Sequence, residues 1–151
     1  MDINNCSVLL VEDDSNDILL IQRAFQKVGT AHLVQIVKDG DAAVEYLAGV
    51  GEYSDRDRDP LPSLVLLDLK LPRRSGIEIL EWMKQQPAIK RIPVVVLTSS
   101  KESLDVNRSY DLGVNSYLVK PVSFSALTSM IDAISTYWFR LNEYPSTPLE
   151  T

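Results

Sequence analysis

Apolar and polar positions follow one another along this chain in blocks of two kinds. Five short runs are apolar almost throughout: "CSVLLV" (6–11), "HLVQIV" (32–37), "LVLLD" (64–68), "VVVLTSS" (94–100) and "NSYLV" (115–119). Runs of this length and composition, bounded by turn-forming residues, predict buried strands. Between them, apolar residues recur at helical spacing. Ile18, Ile21, Phe25 and Val28 follow the acidic break "EDDSND", with Ser15 as the expected N-cap, Asp17 in the first turn and Gly29 as the stop. "DGDAAVEYLAG" (39–49) predicts a second helix with Ala43, Val44 and Leu47 inward, and "GIEILEWMKQQ" (76–86) a third. "KESLDVNRSYDLG" (101–113) predicts a fourth with a thin apolar face, chiefly Leu104 and Leu112. The last helix, "SFSALTSMIDAISTYWFRL" (123–141), is long. Residues 49–63, "GVGEYSDRDRDPLPS", predict a surface loop longer than most connections, its alternating charges solvated.

Strand and helix thus alternate five times. Near-continuous apolar strands alternating with helices predict a parallel sheet covered on both faces. Right-handed crossovers leave a doubly wound α/β fold, a five-stranded parallel sheet of order 2-1-3-4-5, as the compact arrangement. One domain spanning residues 1–144, with an extended last helix, accounts for the pattern. "PSTPLET" (145–151) predicts a short flexible tail. Such sheets bind ligands outside the carboxyl ends of their strands, where the order reverses. Here that crevice lies between the first and third strands. Glu12, Asp13 and Asp14 approach it from one side and Asp68 from the other.

Composition narrows the chemistry. A net charge of −6 with no basic cluster disfavours binding to nucleic acid phosphates, and no helix-turn-helix pattern is present. No run approaches the ~18–20 apolar residues of a membrane span, and no apolar stretch follows a basic N-terminus. A cytoplasmic location, with neither membrane nor nucleic acid as partner, is the expectation. Cys6 is the only cysteine, which leaves no internal disulfide or cysteine-based zinc site. His32 is the only histidine. It excludes a multi-histidine metal site and is expected at the surface, at a strand entrance.

Carboxylates crowded at one sheet edge repel one another and raise each other's pKa unless a cation intervenes. Mg²⁺ takes one or two carboxylates together with phosphate oxygens, so the cluster suggests a Mg²⁺ site that handles a phosphoryl group. The fourth strand ends in Thr98, Ser99 and Ser100, whose hydroxyls can bond phosphate oxygens, and the fifth is followed by Lys120. Asp68, at the end of a central strand, is the best placed carboxylate nucleophile. Mg²⁺ between Asp13 and Asp68, with Lys120, would neutralise charge on a transferring group.

An acidic pair after the first strand, "DLKLPRRSG" after the third, Thr or Ser after the fourth and "YLVKP" around the fifth together resemble the receiver domain of two-component response regulators. The resemblance runs from residue 6 to about 140. It implies a flavodoxin-like (βα)5 fold and a single-domain regulator that accepts a phosphoryl group from a sensor histidine kinase. Asp68 would be the phosphoacceptor. Asp13, Asp68 and the Lys70 backbone carbonyl would ligate Mg²⁺, with Glu12 acting through water. Thr98 resembles the switch hydroxyl, Tyr117 the aromatic switch residue and Lys120 the phosphate-contacting lysine; Pro121 would follow a cis bond. A receiver is not an enzyme acting on a separate substrate: it catalyses only its own phosphorylation and dephosphorylation. Asp14 departs mildly from the pattern as a third acid and is expected to face solvent.

A narrower resemblance, carried by "LVLLDLKLPRRSGIEIL", "IPVVVLTSS", "DLGVNSYLVKPVSF", the long 49–63 loop and the terminal Tyr-Trp, is to stand-alone regulators that partner bacterial and cyanobacterial phytochrome kinases. In the last helix, Phe124, Leu127, Ile131, Ile134, Trp138 and Leu141 follow heptad-like spacing. Met130, Ala133 and Tyr137 form a second stripe. Either both stripes serve the core and incidental surface, or Tyr137, Trp138 and Phe139 form a dimer contact; relatives in the phytochrome-linked group tip the expectation to a homodimer through this helix.

Other functions fit less well. An aspartyl phosphatase needs a second acid two residues after its nucleophile, where Lys70 stands. Flavin or nucleotide binding needs a phosphate-friendly first loop, and "VEDDSND" is acidic. A receiver-like interaction module that is not phosphorylated is the remaining alternative, although Asp13, Asp68, Thr98 and Lys120 are all present.

Overall fold

The computed structural model describes residues 3–145, so the predicted tail, Pro145 apart, lies outside the described residues. Five strands, β1 (Val8–Val11), β2 (Val34–Val37), β3 (Leu64–Leu67), β4 (Val94–Thr98) and β5 (Ser116–Val119), alternate with five helices. These are α1 (Ser15–Val28), α2 (Gly40–Ala48), α3 (Gly76–Lys84), α4 (Ser103–Asp111) and α5 (Phe124–Thr136). The sheet is parallel throughout, in the order β2-β1-β3-β4-β5. The strands are apolar at nearly every position because both faces are covered. Val8, Leu10, Leu64, Leu66, Val95 and Leu97 pack with Ile21, Phe25, Leu127, Ile131 and Ile134 of α1 and α5. The alternate residues, Leu9, Val11, Val65, Leu67, Val94 and Val96, pack with Ala43, Leu47, Ile79 and Met83 of α2 and α3. At roughly 1.5–3 kcal/mol for each fully buried aliphatic side chain, these two layers hold the strand ends rigidly in place.

Glycine at position 76 bears directly on Asp68. A Cβ there would lie 2.6 Å from the Asp68 carbonyl oxygen and 2.7 Å from Leu69 Cα. The start of α3 therefore rests directly on the backbone that carries Asp68, with the Gly76 N–H bonded to the Leu69 carbonyl at 2.9 Å. Ser75 and Glu78 complete a capping box at the same point.

Several local expectations are corrected. Asp14, not Ser15, caps α1: its carboxylate accepts the Asp17 N–H at 2.9 Å. Both residue types cap well, and the helix begins one residue earlier than the pattern implied, with Ser15 as its first residue. The second strand starts at Val34, because Ala31–Leu33 form a 3-10 turn. The 49–63 loop is not merely solvated charge. The Arg56 guanidinium donates to the carbonyls of Tyr46 (2.8 Å), Leu47 (2.9 Å) and Asp59 (3.1 Å), tying the loop to the end of α2. Asp59 is buried and paired with Arg58.

In α4 the buried residue is Ser109, and Leu104 is 75% exposed. Leu104 shares a helix face with Arg108 and Asp111 at i+4 and i+7, away from the side that turns inward. After α5 the chain makes a π-helical turn, Tyr137–Leu141, closed by the Asn142 N–H on the Tyr137 carbonyl. The wider turn brings both Trp138 (9% exposed) and Phe139 (3%) into the core of a single chain. Those two aromatics are therefore not available as dimer contacts. Tyr137 and Leu141 remain on the surface, as does Phe124, so the heptad-like seam is broken at both ends.

Candidate functional site

The carboxyl ends of β1, β3, β4 and β5 converge. The ladder continues past each strand: Asp68 N–H bonds the Val11 carbonyl (3.1 Å), Glu12 N–H the Val37 carbonyl (3.1 Å) and Lys120 N–H the Thr98 carbonyl (2.8 Å). Backbone pairing thus sets the depth at which each functional side chain leaves the sheet. Asp68 is 7% exposed. Its Oδ1 accepts the Thr98 hydroxyl at 2.8 Å and the Lys70 N–H at 3.2 Å, and its Oδ2 accepts the Lys120 ammonium at 2.9 Å. These charge-assisted bonds offset the desolvation of a carboxylate set in an apolar run.

Lys120 holds the cluster together. Its ammonium also reaches Glu12 Oε1 at 2.5 Å and Asp17 Oδ2 at 2.8 Å. Glu12 is almost wholly buried, and its other oxygen accepts the N–H groups of Asp13 and Asp14. Carboxylate oxygens of Glu12, Asp13 and Asp68 lie within 4.8 Å of one another. Hard oxygen donors at this spacing suit a divalent cation such as Mg²⁺. Asp13 is exposed, leaving the cluster open to solvent on one side.

The structure therefore brings Glu12, Asp13, Asp68, Thr98 and Lys120 together as expected. It adds Asp17, read from sequence only as a favourable first-turn acid. Tyr117 is part-buried on β5 and donates its hydroxyl to the Ser100 carbonyl at 2.9 Å. The Lys120–Pro121 bond is trans, since no cis peptide occurs among the described residues. The expected cis bond is thus corrected. An X–Pro amide favours trans by about 0.5–1 kcal/mol, and with the trans bond Lys120 already closes the ladder and reaches all three carboxylates.

Residues 8–132 match the model of the response regulator receiver domain. The chain belongs to that family. This receiver is 42% identical to the response regulator Rcp1 of Synechocystis over 92% of each chain. It is also 42% identical to the probable methanogenesis regulatory protein FilR2 of Methanothrix harundinacea, over 91% of this chain and 86% of the relative. The crystal structure of the phosphorylated cyanobacterial phytochrome response regulator RcpA superposes with a TM-score of 0.85 at 42% identity, covering 93% of this chain and 99% of that one. The Mn²⁺-bound form of Rcp1 gives 0.83 at 41% identity, with the same coverage.

Electrostatics distinguish the receiver's acids. Burial pushes the Glu12 carboxyl up to about 7, with the Asp68 charge adding to it and the Lys120 contact only partly offsetting it. Asp68 goes the other way. Burial would raise it, but Lys120, then Thr98 and the Lys70 N–H, hold it below its ordinary value. For Lys120, burial disfavours the charge, yet its bonds to Asp17, Asp68 and Glu12 outweigh that and lift it above the usual lysine range.

A pH effect follows. Glu12 ordinarily titrates near 4.5 and in the fold near 7, so between those values the folded state holds a proton that the unfolded chain has lost. This contribution to stability is present at low pH and is lost as pH rises through about 7. A cation in the cluster competes with that proton. Binding of a divalent cation there is expected to tighten between pH 6 and 8, by up to about tenfold per unit for one displaced proton below the Glu12 pKa. Calorimetric titrations in buffers of differing ionisation enthalpy should show proton release at pH 6 and little at pH 8. Equal affinity and no release at either pH would contradict the assignment.

Polar contacts rather than apolar packing hold α4. The buried Ser100 hydroxyl bonds Asp105 Oδ2 at 2.5 Å, Arg108 pairs with Glu81 at 2.7 Å and the Lys84 ammonium reaches the Asp111 carbonyl at 3.3 Å. Ser100 thus ties Tyr117 to the first turn of α4.

Proposed function

We propose that this receiver accepts a phosphoryl group on Asp68 from a sensor histidine kinase of phytochrome type, and signals by a Mg²⁺-dependent change in its own surface. The observation that carries this reading is the arrangement at Asp68, with each oxygen bonded by a different cationic or hydroxyl side chain beside a cluster fit for a cation. An Asp68 oxygen attacks phosphorus, forming the O–P bond while the P–N bond of the donor phosphohistidine breaks and the imidazole leaves. Asp13, Asp68 and the Lys70 carbonyl would hold Mg²⁺, with Glu12 acting through water. Once bound, the ion neutralises charge on the phosphoryl oxygens.

Thr98 then exchanges its bond to Asp68 Oδ1 for one to a phosphoryl oxygen, drawing the segment before α4 inward. Tyr117 follows because its hydroxyl is tied to Ser100 in that segment. The phytochrome kinase partner is favoured by the likeness to RcpA, itself a phytochrome response regulator. No helix among the described residues is long and apolar enough to cross a membrane. Homodimerisation through the last helix stays within the proposal, carried by Tyr137 and Leu141 in place of Trp138 and Phe139.

The test is intact mass after incubation with acetyl phosphate. One phosphoryl adduct per chain, lost when Mg²⁺ is chelated, is the expected result. If neither acetyl phosphate nor a phosphorylated histidine kinase yields an adduct, the receiver is an interaction module that is not phosphorylated.

A further inference from the structure

We propose that Asp17 is a positioning residue for phosphoryl uptake, acting through Lys120. The inference rests on the phosphoacceptor reading above. An ammonium has three N–H donors, and those of Lys120 meet three carboxylates: Glu12, Asp17 and Asp68. Two of these partners have other duties. Asp68 receives the phosphoryl group, and Glu12 belongs to the cation cluster, of which Asp17 is no part. When Asp68 is esterified it ceases to be a full anion, and when a cation binds, Glu12 turns part of its charge towards it. Asp17 alone can hold the ammonium unchanged through both events.

Its own placement is secure. It sits in the first turn of α1, and its N–H is bonded to the capping carboxylate of Asp14 at 2.9 Å. One side of its carboxylate meets solvent and the other meets Lys120 at 2.8 Å. A lysine stem has four rotatable carbons and a point charge without directional preference. With only Glu12 and Asp68 as partners, the ammonium would settle between them, where a cation must bind. Asp17 draws it towards α1 and leaves it directed at the Asp68 oxygen that bears the phosphoryl group. Asp14 thereby gains a purpose beyond capping, since it orients the residue that orients the lysine.

The experiment compares phosphorylation rates with acetyl phosphate at saturating Mg²⁺ for wild type, Asp17→Asn, Asp17→Ala, Lys120→Ala and the Asp17→Ala/Lys120→Ala double variant. Asp17→Ala should slow uptake about five- to tenfold, in keeping with the loss of one orienting contact, and Asp17→Asn somewhat less. In the Lys120→Ala background the Asp17 substitution should change nothing. A wild type that takes up no phosphate would refute the phosphoacceptor reading itself. A reactive wild type matched by both Asp17 variants would overturn this inference alone, as would a full Asp17 effect without Lys120. A second readout covers a background too slow to measure. The Lys120 ammonium protons should give an NMR signal in wild type, where three bonds shield them from exchange, and lose it in Asp17→Ala. A signal that persists unchanged in Asp17→Ala would overturn the inference too. Asp17→Asn keeps the side-chain shape, so it carries the comparison if Asp17→Ala does not fold.

Discussion

Asp68→Asn is expected to take up no phosphoryl group under conditions where wild type gains one per chain, while both proteins fold alike. The amide is nearly the same shape and its oxygen can still accept the Thr98 hydroxyl and the Lys70 N–H. What it lacks is the anionic oxygen that the proposed transfer requires as nucleophile. Stability should change modestly at neutral pH, by about 1.5 kcal/mol for one charge-assisted bond lost from a lysine that keeps two others. The sign of the pH dependence provides a second check. Asp68 is held below its ordinary value of 3.8, so its contribution is present above that value and is lost as pH falls through the folded pKa. Wild type and variant should therefore converge in stability at strongly acid pH. Denaturant unfolding at neutral and acid pH, paired with intact mass, measures both effects. An adduct of equal size on the variant would place the acceptor elsewhere.

Lys120→Ala is expected to have the largest effect on stability of any single change at the site. It leaves Glu12, Asp17 and Asp68 facing one another with no cation between them. Removing one partner of a buried ion pair typically costs about 3–5 kcal/mol. The lower end applies, because Glu12 readily takes up a proton and Asp17 is partly in solvent. Mg²⁺ should restore much of the loss, since a ligand that binds only the folded state stabilises it in proportion to its occupancy. Unfolding midpoints in chelator and in excess Mg²⁺ should therefore differ far more for the variant than for wild type. Phosphoryl uptake should persist at a reduced rate, with the amide signals of α4 shifting less on phosphorylation. An unchanged shift would remove Lys120 from the switch.

The site was readable because each of its principal residues stands at the end of an apolar run. Asp68 after "LVLL", Thr98 after "VVVL" and Lys120 after "SYLV" are polar residues whose place in the sheet follows from strand pattern alone. Asp17 was harder to see. Its helix begins with several acids, and which of them turns towards the sheet depends on the helical phase set by the cap. Moving the cap from Ser15 to Asp14 sets that phase. Arg56 and Asp59 were hidden in a string of alternating charges that, read locally, all belong in solvent. Only the nearby end of α2, with carbonyls in need of donors, draws Arg56 inward.

At the last helix two readings were open, core packing and a dimer contact, and Trp138 and Phe139 follow the first. A regular helix would have left Phe139 on another face from Trp138, whereas the π turn brings both inward against the core. The fourth helix departs from its pattern. Its apolar residues were assumed to face in, yet the Ser100–Asp105 bond and the buried Ser109 turn a polar face to the sheet and leave Leu104 outside.

By itself, the sequence determined the five-stranded parallel sheet, its order and the set of side chains delivered to one edge. Those features follow from hydrophobic periodicity and the handedness of crossovers, which act over short stretches of chain. Only the tertiary structure decided which acids share Lys120, which proline bond is trans and which aromatics remain exposed. Those outcomes depend on distances of a few ångströms between residues far apart in the chain, where charge, hydrogen bonding and packing act through space.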